Sequence, residues 1–165
     1  MSVGLFADHC LVIYSTSPLE SVIEELPNMM IKFAQCCSPV FGDDIIGYVS
    51  RGSGVTIHRS DCAHAKTLEK ERMLNLTWGK ETQEKYVASV VIFAKDNAGV
   101  FANILNKIAE NKINIEAVKT TKNYDDTEIV LKLKVSSKKE LDDIVNKLSL
   151  IKDVVSVARQ VSSKK

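Results

Sequence analysis

Apolar and polar residues alternate with two different periodicities in the second half of the chain. Every second residue from Ile129 to Val135 is apolar, which predicts a strand with one solvent-facing side. From Val100 to Asn111 the apolar residues recur at spacings of three and four, which predicts an amphipathic helix. The same periodicities predict strands over 86–94, 113–117 and 154–158, and a second helix over 138–148 capped by Ser136 or Ser137. The order βαββαβ is that of a ferredoxin-like domain, with two helices on one face of a four-stranded sheet.

The first half is patterned less regularly. Short β-branched runs predict strands over 44–49 and 54–57, and the glycines of Arg51–Gly54 predict a tight hairpin turn between them. The Ala-, Leu-, Lys- and Glu-rich stretch Cys62–Met73 predicts a helix, followed by a closing strand over 74–78. Residues 20–26 have a helical pattern that stops at Pro27, but segment 1–28 remains unassigned. The fold class is therefore predicted to be α+β.

Composition places a boundary near the polar run 80–85. All four cysteines and six of the seven glycines precede this run. The 165 residues carry a net charge of +1, which divides into −2 for residues 1–80 and +3 for the remainder, and this excludes a protein that binds nucleic acid by bulk charge. We predict a first module over 29–80, a linker over 81–85 and a second domain over 86–165. With neither a long apolar run nor a signal peptide, we expect a cytoplasmic protein without membrane contact.

Three thiols and one imidazole form a candidate metal site in the first module. Cys36 and Cys37 precede the hairpin, and His58 and Cys62 follow it at a spacing that places both on one side of a turn. Four such ligands are what a structural zinc requires, and zinc would supply folding energy to a module with a small core. The alternative is that the cysteines are ordinary buried residues, and His64 is a competing ligand.

No catalytic motif accompanies these residues. Phosphate-binding glycine loops and the HExxH zinc-protease pattern are absent from the sequence, and metal-bound thiolates are not free nucleophiles, so we do not expect this chain to be an enzyme. Candidate RNA contacts are Arg51 and Arg59, with Tyr48 available for stacking. Alternatively, these cations are ordinary solvent-exposed residues without a binding role.

A long stretch of the chain resembles the C-terminal region of the RelA/SpoT-homologue family. The similarity is carried by the segment 33–48, which reads FAQCCSPVFGDDIIGY, and by 51–62, which reads RGSGVTIHRSDC, and it extends over about 29–161. The family makes and degrades guanosine tetra- and pentaphosphate. The resemblance implies that 29–80 is a zinc-finger module with ligands Cys36, Cys37, His58 and Cys62, and that 86–165 is an ACT domain. The family's hydrolase, synthetase and TGS domains have no counterpart in this sequence.

The resemblance also implies partners. It implies contact with large-subunit ribosomal RNA when A-site tRNA is deacylated, self-association, and restraint of catalytic domains in cis. The first hypothesis is therefore an RNA-contacting regulatory module of a guanosine tetraphosphate synthetase or hydrolase. A second is an ACT dimer that senses a branched-chain amino acid at the loop of Asp96, Asn97 and Gly99, where the proline and arginine of the family's loop are missing. A third is a homodimerisation module.

Overall fold

The computed structural model describes Ile23, residues 29–81 and residues 83–160. The first sheet contains the four short strands β1 (Ile31–Phe33), β2 (Ile45–Ser50), β3 (Gly54–Arg59) and β4 (Met73–Leu76). Their order is β1-β3-β2-β4, with β1 parallel to β3 and the other pairs antiparallel. The predicted hairpin is thus confirmed, and most of the predicted helix at 20–26 lies outside the described residues.

The hairpin turn needs glycine for steric reasons. Gly54 has a φ of +78°, and a Cβ there would collide with the carbonyl oxygen of Met30. That carbonyl accepts a hydrogen bond from Val55 N at 2.8 Å, which joins β1 to the hairpin. The close approach of the two backbones therefore leaves no room for a side chain.

The predicted helix over Cys62–Met73 is wrong. The segment forms two single 3₁₀ turns, Ala65–Thr67 and Lys70–Arg72, and then enters β4. The Thr67 hydroxyl donates to the carbonyl of His64 at 2.7 Å, a local bond that competes with helical hydrogen bonding. Pairing of Met73–Leu76 with β2 completes the sheet, so tertiary structure overrides a favourable helix composition.

The second domain has the predicted βαββαβ order. Its elements are β5 (Tyr86–Lys95), α1 (Val100–Glu110), β6 (Asn114–Asn123), β7 (Asp126–Val135), α2 (Lys138–Ser149) and β8 (Val154–Arg159). All neighbours in the sheet β6-β7-β5-β8 are antiparallel. This confirms the ferredoxin-like α+β prediction, while residues 161–165 lie outside the described part of the chain. Within that part, no helix is long and apolar enough to cross a membrane.

The two helices cover one face of this sheet. Each contributes three buried residues, namely Val100, Ile104 and Ile108 from α1 and Leu141, Ile144 and Leu148 from α2. Ser137 caps α2 by accepting from Glu140 N at 3.4 Å, and the Glu140 carboxylate accepts from Ser136 N at 2.6 Å. The start of α2 is thereby fixed by reciprocal side-chain bonds, as in a capping box.

The two sheets share one continuous hydrophobic core. At the junction, the Phe33 and Trp78 rings stack with centroids 5.9 Å apart, and Tyr86 meets both rings edge-on at 5.7 and 5.6 Å. Ile23 is fully buried and forms a β-bridge with Trp78. The first module is therefore packed against the second through aromatic rings.

Candidate metal centre

The four predicted ligands converge on one side of the first sheet. Cys36 and Cys37 lie in the turn after β1, His58 lies on β3, and Cys62 follows the turn after β3. Their ligand atoms all lie within 4.8 Å of one another. Cys37, His58 and Cys62 are buried, and Cys36 is half-buried. The hairpin thus brings together ligands that are separated by 21 to 26 positions in the sequence.

Four of the six donor–donor distances are close to the edge lengths of a tetrahedral site. The Cys36 Sγ atom lies 3.5 Å from His58 Nδ1, 3.6 Å from Cys62 Sγ and 4.0 Å from Cys37 Sγ, and Cys37 Sγ lies 3.8 Å from His58 Nδ1. A tetrahedron with Zn–S bonds of about 2.3 Å and a Zn–N bond of about 2.0 Å has edges of roughly 3.5–3.8 Å. The residues therefore fit a four-coordinate metal such as zinc.

The pKa values in the cluster differ between the thiols and the imidazole, and this difference determines which ligands must lose a proton when a metal binds. Burial raises the pKa of the Cys36 thiol, and the neighbouring Cys62 sulfur raises it further. Burial also raises the pKa of Cys37, even though the Arg59 amide donates to its sulfur at 3.3 Å. Burial lowers the pKa of His58, so the imidazole is neutral at pH 7 and available as a ligand. Metal binding at this site would consequently release protons from thiols.

A small apolar shell encloses the cluster. Ala34 and Ala65 are buried beside Cys37 and Cys62, with Ile46 and Met73 packed against them. His64, the competing ligand considered above, is exposed, and its ring stacks on His58 with centroids 6.0 Å apart. It is not among the four converging ligands.

The predicted RNA-contacting residues do not form one patch. Arg51 is exposed in the hairpin turn, whereas Arg59 is at the far end of β3, where its side chain is only 14% exposed and pairs with Asp61. Tyr48 is half-buried beneath the Arg72 guanidinium, whose carbon lies 5.3 Å from the ring centroid. Arg72 also donates to the Tyr48 hydroxyl at 3.2 Å. Arg51 thus remains exposed, the Tyr48–Arg72 pair is partly exposed with Arg72 paired to Glu69, and Arg59 is largely enclosed.

The predicted ligand loop borders a cavity of about 240 Å³. Asp96 and Asn97 line it together with Phe101, Lys122 and Thr127. Lys122 donates to Asp96 at 2.8 Å across the opening. Gly99 lies outside the lining and is the N-cap of α1, with a φ of +87° that makes the tight strand-to-helix turn.

Sequence reasoning missed a buried interaction beside the cluster. Asp43 is buried and forms an ion pair with Arg159, 116 positions away. The indole N–H of Trp78 donates to the Asp43 carbonyl at 2.7 Å. The available sequence signal is that Arg159 is the only arginine after position 72. Arginine is the residue best suited to a buried bidentate pair with a carboxylate.

Family comparisons divide the chain as the structure does. The model of the RelA/SpoT RIS domain matches residues 21–79, and that of the ACT domain matches residues 82–159. The first match begins inside the segment 1–28 that the sequence pattern left unassigned, and it includes Ile23.

Relatives match over most of the chain. It is 28% identical over 152 residues to the bifunctional (p)ppGpp synthase/hydrolase RelA of Mycobacterium tuberculosis, covering 90% of this chain and 21% of that protein. It is 30% identical over 144 residues to the GTP pyrophosphokinase of Escherichia coli K12, covering 84% of this chain and 19% of that protein. The chain thus spans about one fifth of the length of these relatives.

Among solved structures, the ACT domain from GTP pyrophosphokinase of Chlorobium tepidum aligns with a TM-score of 0.42 and 21% identity, covering 46% of this chain and 97% of that domain.

The two family matches are adjacent and occur in the same order as the two sheets. The chain therefore carries a RelA/SpoT RIS domain followed by an ACT domain, and it belongs to the RelA/SpoT family as a homologue of the C-terminal region of RelA-type GTP pyrophosphokinases.

Proposed function

We propose that this region is a zinc-stabilised regulatory module that contacts ribosomal RNA and thereby controls guanosine tetraphosphate synthesis or hydrolysis by catalytic domains like those of its longer relatives. The observation that carries the proposal is the four-ligand cluster beside the hairpin β2–β3, whose outer surface displays Arg51 and the Tyr48–Arg72 pair. The proposed role is regulatory rather than catalytic, because the family matches comprise a RIS domain and an ACT domain.

Zinc is the metal that the donor set supports best. Cys36, Cys37, His58 and Cys62 would hold it, and the metal would supply a structural cross-link between the two ends of the hairpin. Three thiols with one imidazole are a frequent composition of structural zinc sites. Such thiols remain reduced in the cytoplasm, which we propose as the compartment of this region.

Arg51 and Arg72 supply the charge for the proposed RNA contact. Arg51 is exposed at the tip of the hairpin, and Arg72 holds its guanidinium over the Tyr48 ring. Arginine and aromatic side chains bind phosphates and unstacked bases, and a local patch suffices for RNA that is recognised by shape. Arg59 is left out of the proposed surface because its guanidinium is enclosed and paired with Asp61.

Ribosome binding by the zinc-loaded chain tests this proposal. Arg51→Ala and Arg72→Ala should each weaken co-sedimentation with ribosomes and reduce the slope of log affinity against log salt by about one phosphate contact. Lys152→Ala is the matched control, because Lys152 is an exposed cation near the start of β8 in the other domain. Equal binding by all three variants and the parent chain would remove the hairpin from the interface.

The cavity beside Asp96 favours a second candidate function, the sensing of an amino acid by the ACT domain. Asp96 and Lys122 present opposite charges at 2.8 Å, a pair that could separate to receive the ammonium and carboxylate of a zwitterion. Phe101 and Val100 would then meet an apolar side chain in the cavity. The Thr127 hydroxyl is buried in the cavity wall without a hydrogen-bond partner among the described residues.

Calorimetric titration distinguishes this candidate from the first. Valine, leucine or isoleucine should bind to the parent chain, glycine should bind more weakly, and Lys122→Met should abolish the heat of binding. An absence of heat with all four amino acids would exclude the sensing function while leaving ribosome binding untouched.

A further inference from the structure

A buried ion pair joins the last strand of the ACT domain to the loop that follows the cysteine pair. Arg159 donates from both terminal nitrogens to Asp43, at 2.8 Å to Oδ1 and 3.0 Å to Oδ2. The side chains are 13% and 4% exposed, respectively. A bidentate, charge-assisted pair of this kind fixes the relative orientation of its two partners as well as their separation.

The same guanidinium also holds the other end of this loop, which we call the docking loop (residues 38–43). Arg159 Nη2 donates to the carbonyl of Ser38 at 3.0 Å. Ser38 follows Cys37 directly and has a φ of +43°, a left-handed conformation that is unfavourable for a residue other than glycine. The bond from Arg159 therefore supports the strained residue beside a metal ligand.

Further bonds tie the docking loop to the ACT domain. The Asp43 carboxylate accepts from Val40 N at 2.9 Å, which closes the loop on itself. The carbonyl of Phe41 accepts from Lys138 N at 2.7 Å, at the start of α2. Two separate elements of the ACT domain, β8 and α2, are consequently bonded to the loop that follows Cys37.

We propose that Arg159 is a positioning residue for the metal centre, and that metal binding and attachment of the docking loop to the ACT domain stabilise each other. The proposal rests on the metal site proposed above. Arg159 acts by restricting the backbone at Ser38, so that less conformational entropy is lost when Cys37 is ligated. Linkage then requires that the bound metal strengthen attachment of the loop to the same degree.

A pair that only stabilised the interface between the domains would behave differently. Its loss would loosen the docking loop without changing the affinity of the four ligands for zinc. The choice of residue supports the positioning role, since every other cation of residues 81–165 is a lysine, which cannot bind a carboxylate and a carbonyl with one planar fork.

Zinc affinity of the full chain, measured by competition with a chromophoric chelator, tests the proposal. Arg159→Lys keeps the charge but loses the fork, and we expect it to bind zinc about tenfold more weakly, comparable to the loss of an outer-shell partner. Lys107→Met, which breaks the Lys107–Glu110 pair elsewhere in the ACT domain, is the matched control and should bind zinc like the parent chain. Equal affinity of Arg159→Lys and the parent would overturn the proposal.

A second measurement needs no variant and covers the case in which Arg159→Lys fails to fold. Removing zinc from the parent chain should accelerate amide exchange at Lys138 and at residues 159–160, as well as around the ligands. Acceleration confined to residues 34–62 would overturn the proposal while leaving the metal site intact. A parent chain that binds no zinc would instead refute the metal site itself, together with this inference.

Discussion

The RIS module and the ACT domain differ in the structural elements that surround their small hydrophobic cores. The ACT domain has two strands of ten residues at the centre of its sheet and two helices that each bury three apolar residues against it. In the part of the RIS module that the structure describes, the strands have three to six residues, two 3₁₀ turns follow β3, and the thiol and imidazole cluster lies beside the sheet. Regular periodicity is sufficient to build the first kind of core. For the second kind, we propose that metal ligation and packing against the neighbouring domain compensate for the small core.

The largest expected effect is the loss of one metal ligand. We predict that His58→Ala weakens zinc binding about a thousandfold, roughly 4 kcal/mol, and loosens the RIS module while the ACT domain remains folded. Elemental analysis and residue-resolved hydrogen exchange measure both effects. His64→Ala is the matched control, because its ring stacks on His58 but lies outside the four ligands. Loss of protection throughout the sheet and helices of the ACT domain, beyond Lys138 and residues 159–160, would show that the two domains do not differ in this way.

The reciprocal experiment removes apolar volume from the ACT core. Ile104 is fully buried, so Ile104→Ala should lower the free energy of unfolding by about 3 kcal/mol through lost burial and the cavity left behind. Phe101→Ala, on the same helix at a site 40% exposed, should cost about 1 kcal/mol. Urea denaturation compares the two variants, and zinc affinity should be unchanged in both. A drop in zinc affinity for Ile104→Ala would contradict the idea that the metal site is independent of packing within the ACT core.

The pH dependence of metal binding should also separate the two regions. Because the pKa of Cys36 and of Cys37 is raised, both thiols hold protons in the metal-free protein at pH 7 and must release them to bind zinc. The lowered pKa of His58 keeps the imidazole neutral, so it adds no proton in this range. From these two thiols alone, zinc affinity should therefore rise by at least about 100-fold, roughly 2.7 kcal/mol, for each pH unit between 6.5 and 7.5.

Competition titrations at several pH values measure this slope, and calorimetry in buffers of different ionisation enthalpy counts the released protons. An affinity independent of pH would show that the thiols are already deprotonated. The unfolding free energy of the ACT domain should not follow the same slope.

The smallest expected effect concerns a helix cap. Ser137→Ala removes the side chain that accepts from Glu140 N at the start of α2, and should lower the free energy of unfolding by about 1 kcal/mol. Ser149→Ala is the control at the other end of the helix, where the hydroxyl donates to the Asn146 carbonyl, and it should change stability by about 0.3 kcal/mol. Thermal denaturation distinguishes these values. Equal melting temperatures would indicate that α2 is held by packing alone.

Local periodicity made the ACT domain predictable from sequence. The alternation at Ile129–Val135 and the spacing from Val100 onward record burial within single elements, so no distant residue is needed to interpret them. The segment after Cys62 was mispredicted, because pairing of Met73–Leu76 with β2 is a long-range interaction that a local pattern does not contain.

The candidate site was partly predictable for a similar reason. Three cysteines and one histidine on either side of a hairpin indicated the cluster, since ligation requires those side chains whatever the fold. The enclosure of Arg59 depends on how the chain after β3 folds back, and the Asp43–Arg159 pair depends on how the two domains pack. Neither arrangement produces a periodic pattern of residues from which it could be predicted.

Trp78 has a practical consequence for studying this chain. It is the single tryptophan of the sequence, and its ring packs against those of Phe33 and Tyr86 while its indole N–H donates to the Asp43 carbonyl. Its fluorescence therefore reports one place only, the junction of the two domains beside the docking loop. Solvent entry at the junction would shift the emission maximum to longer wavelength, so the protein contains its own optical probe of domain separation.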